Sequence, residues 1–168
     1  MRFRRWILPL LLLSTTVGCD RLTKQLAITH LAGTPPHSYL GNTVRLQYAE
    51  NSGAFLSLGS ELPDTLRTLI LTVGVAFLLV LVAILAIHRQ WAGFPLFGAA
   101  LMWGGGASNL IDRAMRGHVV DFLNIGVGSL RTGIFNVADV AVLLGAVLIV
   151  VGDLRPDGKR GTADSGAC

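Results

Sequence analysis

Charge is what this sequence has least of. Only 14% of its 168 residues are Asp, Glu, Lys or Arg, against a hydrophobic share of 52% and a mean hydropathy of +0.60. That balance points away from a soluble globule. Cysteine is nearly missing too: Cys19 and Cys168 make neither a disulfide framework nor a metal site. No H-E-x-x-H stretch offers zinc ligands, and no cofactor is expected. Neither G-x-S-x-G nor S-x-x-K occurs, and His30, His37, His88 and His118 are scattered, so no serine has a partner base. The net charge of +4 and pI near 9.7 come from dispersed lysines and arginines. Without a basic stripe and interleaved aromatics, nucleic acid is not the expected partner.

What is present is apolar sequence in blocks long enough to cross a bilayer, which takes about 20 residues per helix. Residues 68–87 and 91–111 carry no charge, and 132–152 carry only Asp139. At the start, Arg2, Arg4 and Arg5 precede the uncharged run 6–19, the pattern of a secretory signal peptide. Thr-Val-Gly-Cys at 16–19 even imitates a lipobox, but Thr16 stands where an aliphatic residue is preferred, and Leu26, Ala27, Ile28 and Leu31 resume the apolar character. The expectation is an uncleaved first span. Asp20 and Lys24 within it are spaced i,i+4 in the favourable order; they serve a site or merely neutralise each other at the membrane edge.

Four transmembrane helices are therefore expected, at about 6–31, 67–87, 92–111 and 134–151, in a single membrane-embedded domain of residues 1–155 with a loose tail at 156–168. Between the first two spans, Gly33–Pro36 breaks the helix. The alternation from Thr43 to Tyr48 then predicts a strand, and Asn51 to Gly53 is turn chemistry. A small extracytoplasmic β-rich lobe over about 35–64 follows, with Tyr48, Phe55, Leu56 and Leu58 available to touch lipid or substrate. A second extramembrane segment, 117–131, is strand-like from Val119 to Phe122. The small residues Gly104 to Ser108 in the third span suit close helix packing. Four spans put both termini on one side. Seven Lys and Arg then fall on that side (Arg2, Arg4, Arg5, Arg89, Arg155, Lys159, Arg160) and seven on the other (Arg21, Lys24, Arg45, Arg67, Arg113, Arg116, Arg131). The total decides nothing, but the arginines ahead of the first span favour cytoplasmic termini.

The chemistry that remains belongs to aspartates. Asp112 closes one apolar run and Asp139 stands inside another, and an ionisable group at the mouth of an apolar span usually has a task or a partner. Asn136 lies three residues before Asp139, and Asn109 three and four before Asp112 and Arg113, so each set shares a helix face. Two carboxyls close together cannot both ionise readily, and one can serve as acid while the other activates water. Asp121 and Asp139 are joined by a glycine-rich connection able to fold back. On the residues alone, a catalytic dyad, an ion or proton pathway and a structural polar cluster all stay open. A channel or proton-coupled transporter would favour polar residues through the depth of several spans, whereas here they gather at one end. A non-enzymatic assembly factor would not need both aspartates. The tail's Asp164-Ser-Gly, similar to the D-S-G of pepsin-like proteases, has no fold around it and is set aside.

Five motifs recur in register across nearly the whole chain: Asp20-x-x-x-Lys24, Asn51-Ser-Gly-Ala-Phe55, Gly104-Gly-x-x-Ser-Asn109-x-x-Asp112-Arg113, Gly117-x-Val-x-Asp121-Phe122 and Phe135-Asn-x-Ala-Asp139. Together they resemble the bacterial lipoprotein signal peptidases, the aspartic signal peptidase II family. The resemblance implies a four-helix enzyme of the bacterial inner membrane with a periplasmic β-cradle. It implies a catalytic pair at Asp121 and Asp139, and supporting or substrate-binding roles for Asp20, Lys24, Asn51, Asn109, Asp112, Arg113 and Asn136. The implied reaction cuts prolipoproteins before the diacylglyceryl-modified cysteine, with membrane lipid as the other partner; a monomer is expected. Two departures stand out. Ser108 occupies a place where the family commonly has glycine, which is expected to alter packing in the third span, and the connection between the aspartates is slightly short.

Overall fold

The computed structural model describes residues 4–53 and 63–154. Phe55, Leu56, Leu58, Arg2 and the tail with Asp164 and Cys168 lie outside the described residues. Four long helices carry the architecture: α1 (Arg4–Leu31), α2 (Asp64–His88), α3 (Phe94–Arg116) and α4 (Val137–Asp153). α1 runs unbroken through Cys19. Its threonines turn their hydroxyls back onto the helix, Thr15 donating to the Leu11 carbonyl and Thr16 to that of Leu12, each at 2.8 Å. A hydroxyl satisfied in this way can sit in apolar surroundings. α3 ends at Gly117, whose φ of 78° is the left-handed conformation that closes a helix and that glycine adopts without strain.

Among the described residues one segment, Leu69–His88 of α2, is by itself long and apolar enough to cross a membrane. α4 has 17 residues, and α1 and α3 dilute their hydropathy with polar groups at one end: Asp20, Arg21 and Lys24 in α1, and Asn109, Asp112 and Arg113 in α3. Several of these are turned inward. Asp20, Lys24 and Asp112 are buried, while Leu11, Phe77, Leu143 and their neighbours on the outer faces of α1, α2 and α4 are exposed.

α3 is the hub of the bundle, and its glycines explain how. A Cβ on Gly98 would stand 2.5 Å from the Gly145 carbonyl oxygen of α4. On Gly104 it would stand 2.8 Å from Thr16 of α1, and on Gly106 2.9 Å from Leu79 of α2. Three faces of one helix are thus pared down to admit three neighbours, the small-residue packing found between helices in lipid.

The strands β1 (His37–Tyr39), β2 (Val44–Asn51), β3 (Val119–Val127) and β4 (Leu130–Arg131) form one antiparallel four-stranded sheet in that order. The β-rich lobe is therefore wider than a 35–64 lobe. Its longest strand, β3, comes from the segment after α3 and pairs with β2, matching Val44 to Ile125 and Ala49 to Asp121. The alternation of 43–48 shows one buried face but not the partner that covers it. Val120 and Phe122 of β3 pack with Leu46 and Tyr48 of β2 on Ala27, Ile28 and Leu31, the last turns of α1. The sheet thereby rests on the end of the bundle.

Replacing Gly98 with alanine forces α3 and α4 apart against backbone rather than a yielding side chain. A loss of about 1–3 kcal/mol is expected from such overpacking. It should appear as a lowered thermal midpoint of the detergent-solubilised protein; an unchanged midpoint would show that the two helices are not in close contact.

Candidate active site

The polar residues singled out in the sequence meet where the sheet joins the bundle. Asp121 comes from β3, which leaves α3 by the turn at Gly117. After β4 the chain returns alongside, and Phe135 pairs with Leu123, its N–H donating to the Leu123 carbonyl at 2.8 Å. That bridge delivers Asn136 beside Asp121. α4 then begins at Val137, three residues later than the apolar run suggests, because Asn136 is its N-cap.

Asn136 is the joint of the site. Its Oδ1 accepts from the Asp139 N–H at 2.9 Å, and its own N–H donates to Asp139 Oδ2 at 3.1 Å, a reciprocal capping box. Its Nδ2 donates to Asp121 Oδ1 at 2.6 Å. One fully buried residue therefore holds both carboxyls, Asp121 through its side-chain amide and Asp139 through its backbone N–H. The second Asp121 oxygen accepts from Asn51 Nδ2 at 2.9 Å, and Asp139 Oδ1 accepts from Asn109 Nδ2 at 3.0 Å. Asn51 is itself fixed by the Gly53 N–H on its Oδ1 at 3.0 Å, a local turn bond.

The amide of Asn109 is oriented by Lys24, whose ammonium reaches Asn109 Oδ1 at 2.7 Å. An ammonium can only donate, so the oxygen must face it and the NH2 must face Asp139. The same ammonium lies 2.7 Å from Asp20 Oδ2 and 2.9 Å from Asp112 Oδ2. All three charged groups are buried. Removing one partner from such a set costs about 3–5 kcal/mol, because it strands a charge out of water.

Further contacts complete this network. Asp20 Oδ1 accepts from the Ala138 N–H of α4 at 2.8 Å, and its Oδ2 accepts from Ser108 at 2.6 Å. Ser108 thus does more than alter packing in α3: its hydroxyl supplies a buried hydrogen bond. Arg21 and Arg116 both reach Asp112 Oδ1. The Asp112–Arg116 spacing of four was readable as a helical ion pair, whereas the Arg21 contact crosses from α1 and leaves no mark in the sequence. Arg113 turns instead toward the β2 end, its Nη2 donating to the Gly53 carbonyl at 3.3 Å. All nine residues marked in the sequence are thus linked, the two carboxyls through Asn136 and the charged cluster to them through Asn109.

Burial raises the Asp121 carboxyl from 3.8 to about 6. The hydrogen bonds from Asn51 and Asn136 oppose the rise, and the Asp139 charge adds to it. A carboxyl that holds its proton that high, tied through Asn136 to a second carboxyl, suits paired acid–base work on a carbonyl compound.

Comparison with known proteins bears on this geometry. The family model described as Signal peptidase (SPase) II matches residues 12–155. A Lipoprotein signal peptidase of Chlorobium phaeovibrioides is 37% identical over 164 residues, covering 91% of this chain and 94% of the relative. One from Rhodococcus jostii is 34% identical over 166 residues, covering 94% and 79%. A solved structure described as a bacterial membrane enzyme, obtained by the in meso method at 2.3 Å resolution, matches with a TM-score of 0.79 over 94% of each chain. At 21% identity that likeness concerns the fold.

The raised Asp121 value fixes a pH dependence. Between 3.8 and about 6 the folded state binds more proton than the unfolded chain, so this group's contribution to stability is full below 3.8 and lost as pH rises through about 6. Thermal midpoints followed across that range should fall more steeply for the wild type than for Asp121→Asn. Parallel curves would show that Asp121 titrates normally.

Proposed function

This chain belongs to the signal peptidase II family and processes the signal peptides of prolipoproteins, and from that premise we propose that Asp121 and Asp139 form the catalytic pair of an aspartic endopeptidase. The observation that carries the reading is their common tether, Asn136, which bonds to both carboxyls. The pair shares one proton. The ionised member takes a proton from water as the water oxygen bonds to the scissile carbonyl carbon, and the protonated member gives its proton to the carbonyl oxygen. Collapse of the tetrahedral intermediate breaks the C–N bond: one carboxyl gives its proton to the departing amine, and the other takes a proton from the intermediate's hydroxyl, so that the pair again holds one proton. No metal ion has a part in this sequence, so chelation should leave the rate unchanged.

The bond cut is the one before a diacylglyceryl-modified cysteine. A substrate anchored by lipid approaches along the bilayer, and a site between helix ends and sheet lies where an acyl-anchored bond and water meet. Asn109 and Arg113 flank the pair with donors suited to a peptide backbone. Four spanning helices fit the distribution of side chains, with Asp20, Lys24 and Asp112 buried and Phe77 and Leu143 exposed. Arg4 and Arg5, with Arg2 before them, argue for cytoplasmic termini and hence a site on the periplasmic face of the inner membrane.

Asp121→Asn and Asp139→Asn should each abolish cleavage of a lipidated precursor, followed by mass spectrometry of the products, while the protein still inserts and accumulates. The double variant should be no worse than either single one, because the two act as a unit. Appreciable turnover by either variant would refute the dyad.

A matched precursor with an unmodified cysteine tests the substrate. Each buried methylene contributes about 0.8 kcal/mol, so even a partly buried acyl chain outweighs any one side-chain contact. The lipidated form should show much the higher kcat/KM; equal values would mean that the lipid is not read.

A further inference from the structure

The end of the sheet remote from the carboxyl pair has no part in the chemistry above, yet it is built in an unusual way. The turn between β1 and β2 places three successive residues in the left-handed region: Leu40 at φ 52°, Gly41 at 61° and Asn42 at 69°. Glycine and asparagine tolerate that conformation, whereas leucine is strained in it. The strain does not bury the leucine. Leu40 is 80% exposed. The turn between β3 and β4 lies beside it, since Gly126 N–H donates to the Thr43 carbonyl at 2.9 Å and Arg131 Nη1 donates to the Asn42 carbonyl at 2.8 Å. That second turn displays Val127 and Leu130, at 76% and 84% exposure, and Tyr39 is exposed next to Leu40.

Two arginines stand among these tips. Arg45 is held by Asn42 Oδ1 at 2.7 Å, and Arg131 by Asn124 and by backbone carbonyls. All of these partners are neutral. Residues 36–47 and 123–135 contain no Asp or Glu, and among the described residues neither arginine meets a carboxylate. Exposed apolar tips, a tyrosine and uncompensated guanidinium charge are the composition of a surface that enters the headgroup layer of a bilayer. Placement agrees: the sheet packs on the last turns of α1, at Ala27, Ile28 and Leu31, the end of the span proposed above for that helix.

We propose that this end of the sheet is a membrane-docking edge, seating Leu40, Val127 and Leu130 at the acyl boundary and Arg45 and Arg131 against anionic phospholipid headgroups. The inference rests on the reading of the bundle as membrane-spanning, and its test separates the two. The full chain, with Cys19→Ser and Cys168→Ser, is reconstituted in nanodiscs at one copy per disc. A nitroxide is attached through Leu40→Cys, Leu130→Cys or, on the outer face of α2, Phe77→Cys. Accessibility to oxygen and to a water-soluble nickel chelate is measured in phosphatidylcholine, with and without added phosphatidylglycerol.

Labels at 40 and 130 should favour oxygen over nickel, and phosphatidylglycerol should move them deeper. Arg45→Gln should remove that lipid-dependent shift. A nickel-accessible label at 40 together with an oxygen-accessible label at 77 overturns the docking edge and leaves the spanning bundle standing. A nickel-accessible label at 77 overturns both. Equal depth in the two lipids overturns the recognition of anionic headgroups. Dipolar broadening between labels at 40, seen only when two copies share a disc, would identify a second copy as the occupant and overturn the proposal.

Discussion

The ammonium of Lys24 is the interaction on which the rest of this structure depends. It is buried where three helices meet, and it reaches Asp20 on its own helix and Asp112 and Asn109 on α3. Coulomb attraction in such surroundings is strong, but so is the penalty for removing the ions from water, and the net gain in stability from a buried ion set is modest. What the set provides is uniqueness of arrangement. A lysine has one kind of hydrogen-bonding group and no acceptor, so every oxygen around it is told which way to face.

That direction is passed on to the carboxyls of Asp121 and Asp139. With Asn109 Oδ1 held by Lys24, its NH2 points to Asp139, and with Asn136 Oδ1 held by the Asp139 N–H, its NH2 points to Asp121. Two ambiguous amides become fixed donors. The carboxyls are thus surrounded by groups that favour their ionised forms, while burial favours the protonated one, and the value of about 6 for Asp121 is where these balance. A site of this kind needs no mobile counter-ion to set its protonation. Its polarity is carried in the packing of the helices, and the glycine-lined contacts of α3 keep those helices at the separation the hydrogen bonds require.

Much of this was legible in the sequence, for definite reasons. Spacings of three and four on a helix place Asp20 with Lys24, and Asn136 with Asp139, without any knowledge of the fold. The apolar runs mark the helices to within a few residues, and the motif order resembles a known family closely enough to single out Asp121 and Asp139. Contacts between segments far apart in the chain were not legible. Nothing in 117–131 says that β3 pairs with β2, or that Phe135 bridges to Leu123, because a strand's partner is chosen by tertiary packing. Arg21 likewise reaches Asp112 across the α1–α3 interface. Ser108 read as a packing change, because a serine among glycines shows its size in the sequence but not the carboxylate waiting opposite. The start of α4 was displaced by its cap: apolar residues 134 and 135 look helical by composition but belong to the bridge that positions Asn136.

The contact between Asp20 and the Ala138 N–H joins residues 118 positions apart in the chain. For a protein made from its N-terminus and threaded into a bilayer as it emerges, that distance is also a schedule. Asp20 and Lys24 enter lipid with only each other as partners, an arrangement their i,i+4 spacing permits. Asp112, Ser108 and Asn109 reach them once the third helix is in place, and Ala138 reaches them last. Asn136 and Asp139 lie on the same final segment, so the two carboxyls meet only when that segment docks. A nascent chain stalled at any earlier point therefore lacks the paired carboxyls, and on the catalytic reading proposed above the fold keeps its hydrolytic capacity in abeyance until synthesis is all but finished.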